Sequence, residues 1–223
     1  MRTFASPLHF IFSGRRGRFG SVLLAFALSL PAQAAPKKFE VVEATVDSIH
    51  AAMKDHTLTA HQLVQMYLDR IAAYDQKGPA INCVISLNPK AMEEADLLDL
   101  AFAKAGFVGP LHGIPILVKD EIDAAGMATT QGTKVFKDYR PPLDAFVVSQ
   151  LKKAGAIILG KATLSEFASG DAYGSMFGES RNPYDLTRTV GGSSGGSGGA
   201  LAANFSTLTV AEETGSSLRR PAA

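Results

Sequence analysis

From Glu43 onward, apolar residues recur with two alternating spacings. "EATVDSIHAAMKD" places them at helical intervals, and so does "TAHQLVQMYLDRIAAYD" from Thr59. In the second segment Thr59 and Gln62 have the spacing of a capping box. Leu63, Met66, Tyr67, Ile71 and Tyr74 form one face, and Gly78–Pro79 marks the stop. "INCVISL" reads as a strand, "AMEEADLLDLAFAKAG" as a helix ended by Gly106, and "IPILV" (114–118) as a short buried strand. "DAFVVSQLKKAG" is again helical, "AIILG" (156–160) again a buried strand, and "ALAANFSTLTVA" a helix running into a strand. Helices alternating with short apolar strands predict an α/β fold, a mixed or largely parallel β-sheet flanked by helices. No repeat of solenoid length is present.

One stretch breaks the rhythm. Gly191–Gly199, "GGSSGGSGG", is six glycines and three serines, the composition of a flexible linker. A tether should lead to a second domain, but only 24 residues follow Gly199. A loop that turns back beneath a reactive group fits better, because glycine permits backbone conformations and close approaches closed to other residues.

The charge pattern separates the N-terminus from the rest. Arg2, Arg15, Arg16 and Arg18 fall within residues 1–34, which hold no acidic residue, so the remainder is acidic by about three charges although the chain's net charge is +1. A mildly acidic body gives no electrostatic footprint for nucleic acid. The basic "RRGR", the apolar "SVLLAFALSL", Pro31 and "AQA" at 32–34 follow the order of an export signal. About ten apolar residues fall short of the roughly twenty that span a membrane, so no stable span is expected after cleavage behind Ala34. The mature protein, periplasmic or secreted, would begin at residue 35. Cys83, the sole cysteine, sits in an apolar run and reads as a buried structural thiol. His50, His56, His61 and His112 have no ligand spacing, so no metal is expected.

Candidate chemistry resides in Lys119 at the end of "IPILVKD", in the serines of "GGSSGGS" and in those of "TGSS". A lysine held partly out of water can serve as a base, and a serine hydroxyl needs such a base to become a nucleophile. Singly, these are common features: most strand-end lysines are structural or solvated, and serines beside glycines are usually turn residues.

Together, "GIPILVKD", "GGSSGGS" and "ETGSSLRRPA", in that order and at those separations, resemble the amidase signature family of serine hydrolases. "DAFVVSQLKKAGAIILGKATLSEFA" and "RNPYDLTRTVGGSSGGS" resemble the segments around those motifs, and the resemblance covers most of residues 40–223. It implies the amidase signature fold, and hydrolysis of an amide or ester through an acyl-enzyme without metal or organic cofactor. The substrate would be a small-molecule or peptide amide. Lys119 matches the family's catalytic lysine, and Ser193 the bridging serine after a cis peptide bond. Ser217, 24 residues beyond Ser193, matches the nucleophile. The implied mechanism is a relay in which Lys119 accepts the Ser217 proton through Ser193. Backbone N–H groups of Thr214, Gly215, Ser216 and Ser217 would hold the oxyanion, and Gly191, Gly192, Ser194 and Arg219 match supporting positions.

Two departures stand out: Glu213 replaces the family's usual Asp, and Ser216 its second Gly. The chain also ends six residues after Ser217. It is therefore expected to be the N-terminal part of an amidase signature domain (35–223) behind the signal, with a sheet edge left open and poor stability alone. The rival readings are the A subunit of a tRNA-dependent amidotransferase, which the signal-like N-terminus opposes, and a non-catalytic truncated remnant.

Overall fold

Local capping decides where the first two helices begin. The computed structural model describes residues 38–223, so the expected export signal lies outside the described residues. Helix α1 (Val46–Lys54) starts at Thr45, which exchanges capping hydrogen bonds with Ser48, and α2 (Ala60–Tyr74) starts at Thr59, which does the same with Gln62. Helix α2 buries Leu63, Val64, Tyr67 and Ile71. Tyr74, expected on that face, is 43% exposed at the last helical position, where the Arg70 guanidinium lies 5.0 Å over its ring. Helix α3 (Ala91–Ala105) ends at Gly106, whose φ of +81° is the left-handed conformation that favours glycine.

The main sheet has four strands in the order β1 (Val84–Leu87), β3 (Ile157–Ala162), β2 (Pro115–Lys119), β6 (Leu208–Val210). Strand β1 runs antiparallel to β3; β2 runs parallel to both β3 and β6. The sheet is therefore mixed, as the sequence predicts. Strands β2 and β3, the central pair, are buried along their whole length, which explains their unbroken apolar runs. Helices α3, α4 (Phe146–Lys153) and α5 (Gly195–Ala202) pack on the sheet, and α2 packs on α3. A small hairpin, β4 (Tyr173–Gly174) with β5 (Gly178–Glu179), lies on the path from β3 to α5.

Because β2 and β6 are parallel with Val118 opposite Val210, the residues just past their ends emerge side by side. Lys119 and Glu212, far apart in sequence, thus become neighbours.

The glycine-rich stretch corrects the reading from composition. It is a loop only as far as Ser194; Gly195–Gly199 form the first part of α5. The reason is space rather than flexibility. A Cβ on Gly195 would strike Ala172, one on Gly196 would strike Thr163, and one on Gly199 would stand 2.5 Å from Cys83 Sγ. Cys83 itself is fully buried, and that burial, followed by the charge of Asp75, pushes its thiol pKa up.

Helix propensity and packing therefore predict opposite signs at Gly199. Alanine is favoured over glycine in a helix interior by about 1 kcal/mol. Overpacking a filled core typically costs about 1–3 kcal/mol. Gly199→Ala is expected to lower the urea midpoint of unfolding; a raised midpoint would mean that the contact with Cys83 does not constrain the helix.

Candidate active site

Lys119 is the last residue of β2 and is wholly buried. Its Nζ donates to Ser193 Oγ at 2.8 Å, to Glu212 Oε1 at 2.7 Å and, more weakly, to the Glu212 carbonyl at 3.4 Å. Glu121 Oε1 also lies 2.7 Å away, without the angles of a hydrogen bond. A second buried lysine, Lys161 near the end of β3, is spent on scaffold. Its Nζ donates to the Asp120 and Ala128 carbonyls and to Thr129 Oγ1, and it stands 3.4 Å from Asp120 Oδ1. Burial pushes Asp120 up and Lys161 down, and each partner's charge opposes the other's shift. Of the two lysines, only Lys119 reaches the serines.

The Gly191–Ser194 turn is held on both sides. Gly191 has a φ of +78°, its N–H donates to Thr189 Oγ1, and its carbonyl accepts from Ala172 N–H. The Gly192–Ser193 peptide bond is cis. A Cβ on Gly192 would collide with the Gly170 carbonyl and Ser165 Oγ, so this position too is glycine for lack of room. The Ser193 carbonyl accepts from Ser165 N–H at 3.0 Å. Ser194, the supporting residue expected from the resemblance, ties this turn to the next segment. Its N–H donates to the Ser217 carbonyl at 3.1 Å and its hydroxyl to the Glu212 carbonyl at 3.0 Å.

Glu213 organises the segment that follows. Its carboxylate accepts from the Leu218 and Arg219 N–H groups, each at 2.9 Å, and from Arg219 Nε at 2.7 Å. Those bonds to Arg219 and Leu218 hold the Glu213 carboxyl below the usual carboxylate range. Arg219 Nη2 in turn donates to the Gly215 carbonyl. The longer acid at position 213 thus folds back on the turn, and Arg219 supports it. Among the described residues, the backbone N–H groups of Thr214, Gly215, Ser216 and Ser217 have no acceptor within the protein. All four residues line a cavity of about 270 Å³ that also contains Ser193, Gly192, Glu212 and Arg220. Ser217 Oγ makes no hydrogen bond to Ser193, but both serines face this cavity. Arg220, across the cavity, pairs with Asp171.

The residues singled out from sequence therefore converge: Lys119 on Ser193, Ser194 on the Ser217 segment, Arg219 on Glu213. Glu121, Glu212 and Lys161 carry no comparable signal in the linear sequence. Glu121 is two residues past Lys119, but nothing in the linear pattern says which way it turns. Glu212 becomes a partner of Lys119 only through the β2–β6 register. Among the described residues, no three His, Cys, Asp or Glu side chains converge as a metal-binding group.

The same fold recurs in known proteins. The chain is 41% identical over 186 residues to the A subunit of glutamyl-tRNA(Gln) amidotransferase from Alkaliphilus metalliredigens, a match that covers 82% of this chain and 37% of that protein. Among solved structures it is similar to the native peptide amidase of Stenotrophomonas maltophilia, at 42% identity and a TM-score of 0.79. That match covers 81% of this chain and 38% of the amidase. The corresponding amidotransferase protein from Thermotoga maritima also superimposes, at 31% identity and a TM-score of 0.67, over 82% of this chain and 37% of that one. The chain spans a little over a third of the length of these relatives. The profile of the Amidase family matches residues 62–223, and the chain belongs to that family.

Proposed function

We propose that the chain carries the reacting centre of an amide hydrolase that works through an acyl-enzyme on Ser217. The observation that bears most weight is the buried Lys119 Nζ, 2.8 Å from Ser193 Oγ, at a cavity shared with Ser217 and four free backbone N–H groups. In this mechanism the Ser217 proton passes to Ser193 as the Ser193 proton passes to unprotonated Lys119. Ser217 Oγ bonds to the substrate carbonyl carbon, and the negative charge on the carbonyl oxygen is taken up by N–H groups of 214–217. The same proton then returns to the leaving nitrogen as the C–N bond breaks, and water later releases the acyl group. The relay requires the two serine hydroxyls to come within hydrogen-bond reach, and such contacts often tighten in the occupied site. Hydrolysis of a small-molecule or peptide amide is favoured by the likeness to a peptide amidase. Ester cleavage would follow the same steps.

A second reading, the A subunit of a tRNA-dependent amidotransferase, is favoured by the curated relatives bearing that name. The two part at the N-terminus. A basic region, an apolar run and Ala32-Gln33-Ala34 support export to the periplasm or medium, which a tRNA-dependent enzyme would not undergo. N-terminal sequencing of the purified product is expected to start at Ala35. A cytoplasmic product retaining Met1 would overturn export and favour the amidotransferase reading.

The roles of the three residues are separable with a serine-directed phosphonate. The adduct is expected on Ser217, and Ser217→Ala should abolish labelling. Ser193→Ala and Lys119→Ala should each slow it by about 10²–10⁴-fold, the usual worth of general-base assistance. Mass mapping to Ser193 or Ser194 would overturn the assignment. No labelling of the unmutated chain would favour the non-catalytic remnant.

A further inference from the structure

Two carboxyl groups crowd the amine to which the reading above gives proton transfer. Glu212 Oε1 and Glu121 Oε1 each lie 2.7 Å from Lys119 Nζ, and they approach from different segments, one beyond β6 and one beyond β2. The Lys119 and Glu121 side chains are 0% and 15% exposed, whereas that of Glu212 is 39% exposed and borders the cavity. Glu121 Oε1 is buried and has no hydrogen-bond partner of correct geometry. While Lys119 is an ammonium, the form that must lose its proton before the relay can run, two ionised carboxylates would leave a net negative charge in this pocket, with one buried oxygen unsatisfied. A single proton between the carboxyls removes both costs: the cluster becomes neutral, and the protonated acid gains an O–H to donate to the other.

We propose that Glu121 and Glu212 share one proton and act together as positioning residues that hold Lys119 Nζ against Ser193 Oγ. The inference rests on the role given above to Lys119, but concerns the groups that place it. The neighbouring charges do not compete for this site. Asp120 is turned toward Thr130 and Lys161, Glu213 is bound to Arg219, and Arg220 is bound to Asp171. Glu213 acts on Glu212 only through its charge, against ionisation. The asymmetry of the pair follows from its surroundings. Burial pushes Glu121 up, with Glu212 adding to the rise against Lys119. The hydrogen bond from Lys119 holds Glu212 down against its own partial burial. The shared proton therefore resides on Glu121.

The test is carboxyl carbon NMR titration of the full chain, with Glu121→Ala and Glu212→Gln variants. In the unmutated protein one of the two acids should titrate above the ordinary glutamate range and the other below it. Glu212→Gln removes a neighbouring anion, so Glu121 should move down. Glu121→Ala removes a donor to the ionised partner, so Glu212 should move up. Independent titration of both acids in the ordinary range, unmoved by either change, overturns the proposal. Positioning is read separately from the pH profile of phosphonate labelling. In Glu212→Gln the acid limb should shift to lower pH, because an anion beside the relay is gone. A rate lowered equally at every pH would mean that Glu212 is merely structural. Coupled titration without labelling at Ser217 supports the shared proton and overturns the hydrolase reading; labelling with independent titrations does the reverse.

Discussion

A lysine amine with no access to solvent must find all its partners within the protein, and that requirement at Lys119 organises the site. The 2.8 Å bond to Ser193 joins segments 74 residues apart, and the bond to Glu212 joins segments 93 residues apart. Burying such a group unpaired would cost several kcal/mol, so the three segments that satisfy it are fixed relative to one another. Strand β2 can deliver the lysine because it is paired on both edges: β3 sets its height on one side and β6 on the other. The same β6 pairing delivers Glu212. Backbone register is thus converted directly into the geometry of a side-chain cluster.

Ser193 arrives by a different physical route. The turn that bears it and the helix that follows are made of small residues because other backbone and side chains occupy the volume where a Cβ would sit. Gly192 abuts Gly170 and Ser165, Gly196 abuts Thr163, and Gly199 abuts Cys83. These contacts let α5 settle onto the sheet and carry Ser193 and Ser194 to the ends of β2 and β6. Glycine usually weakens a helix. Here the weakness is offset by an approach that no larger residue permits.

Much of this was legible in the sequence, for reasons that differ by element. The capping box at Thr59 and the stop at Gly106 are local, so a few neighbouring residues decide them. Strands β2 and β3 were legible because strands covered on both faces carry long apolar runs, interrupted here only near their ends by Lys119 and Lys161. Lys119, Ser193 and Ser217 stood out by family resemblance, since periodicity alone would have left them as a strand-end lysine and turn serines. The glycine-rich stretch misled because composition reports conformational freedom but not the neighbours that remove it. Glu212 and Lys161 were silent because their roles arise from pairing between strands distant in sequence, which no linear window contains, and Glu121 because nothing in the linear pattern says which way a residue two past Lys119 turns.

Strand alternation then sorts these charges into separate tasks. Successive residues at a strand end point to opposite sides. At the end of β2, Lys119 turns to the serines while Asp120 turns to Thr130 and Lys161, anchoring the segment that leaves the sheet. Past β6, Glu212 turns to Lys119 while Glu213 turns away and gathers the Leu218 and Arg219 N–H groups. Each pair of adjacent charged residues thus divides between the cavity and its scaffold. The division leaves the N–H groups of 214–217 unclaimed, because the carboxylate nearest to them in sequence bonds farther along the chain. A shorter acid at position 213 would have less reach for the same two N–H groups, so the glutamate sets how tightly this turn is drawn back from the cavity. The four N–H groups stay free at the cavity because the two charges beside them in sequence, Glu213 and Arg219, are bonded to each other.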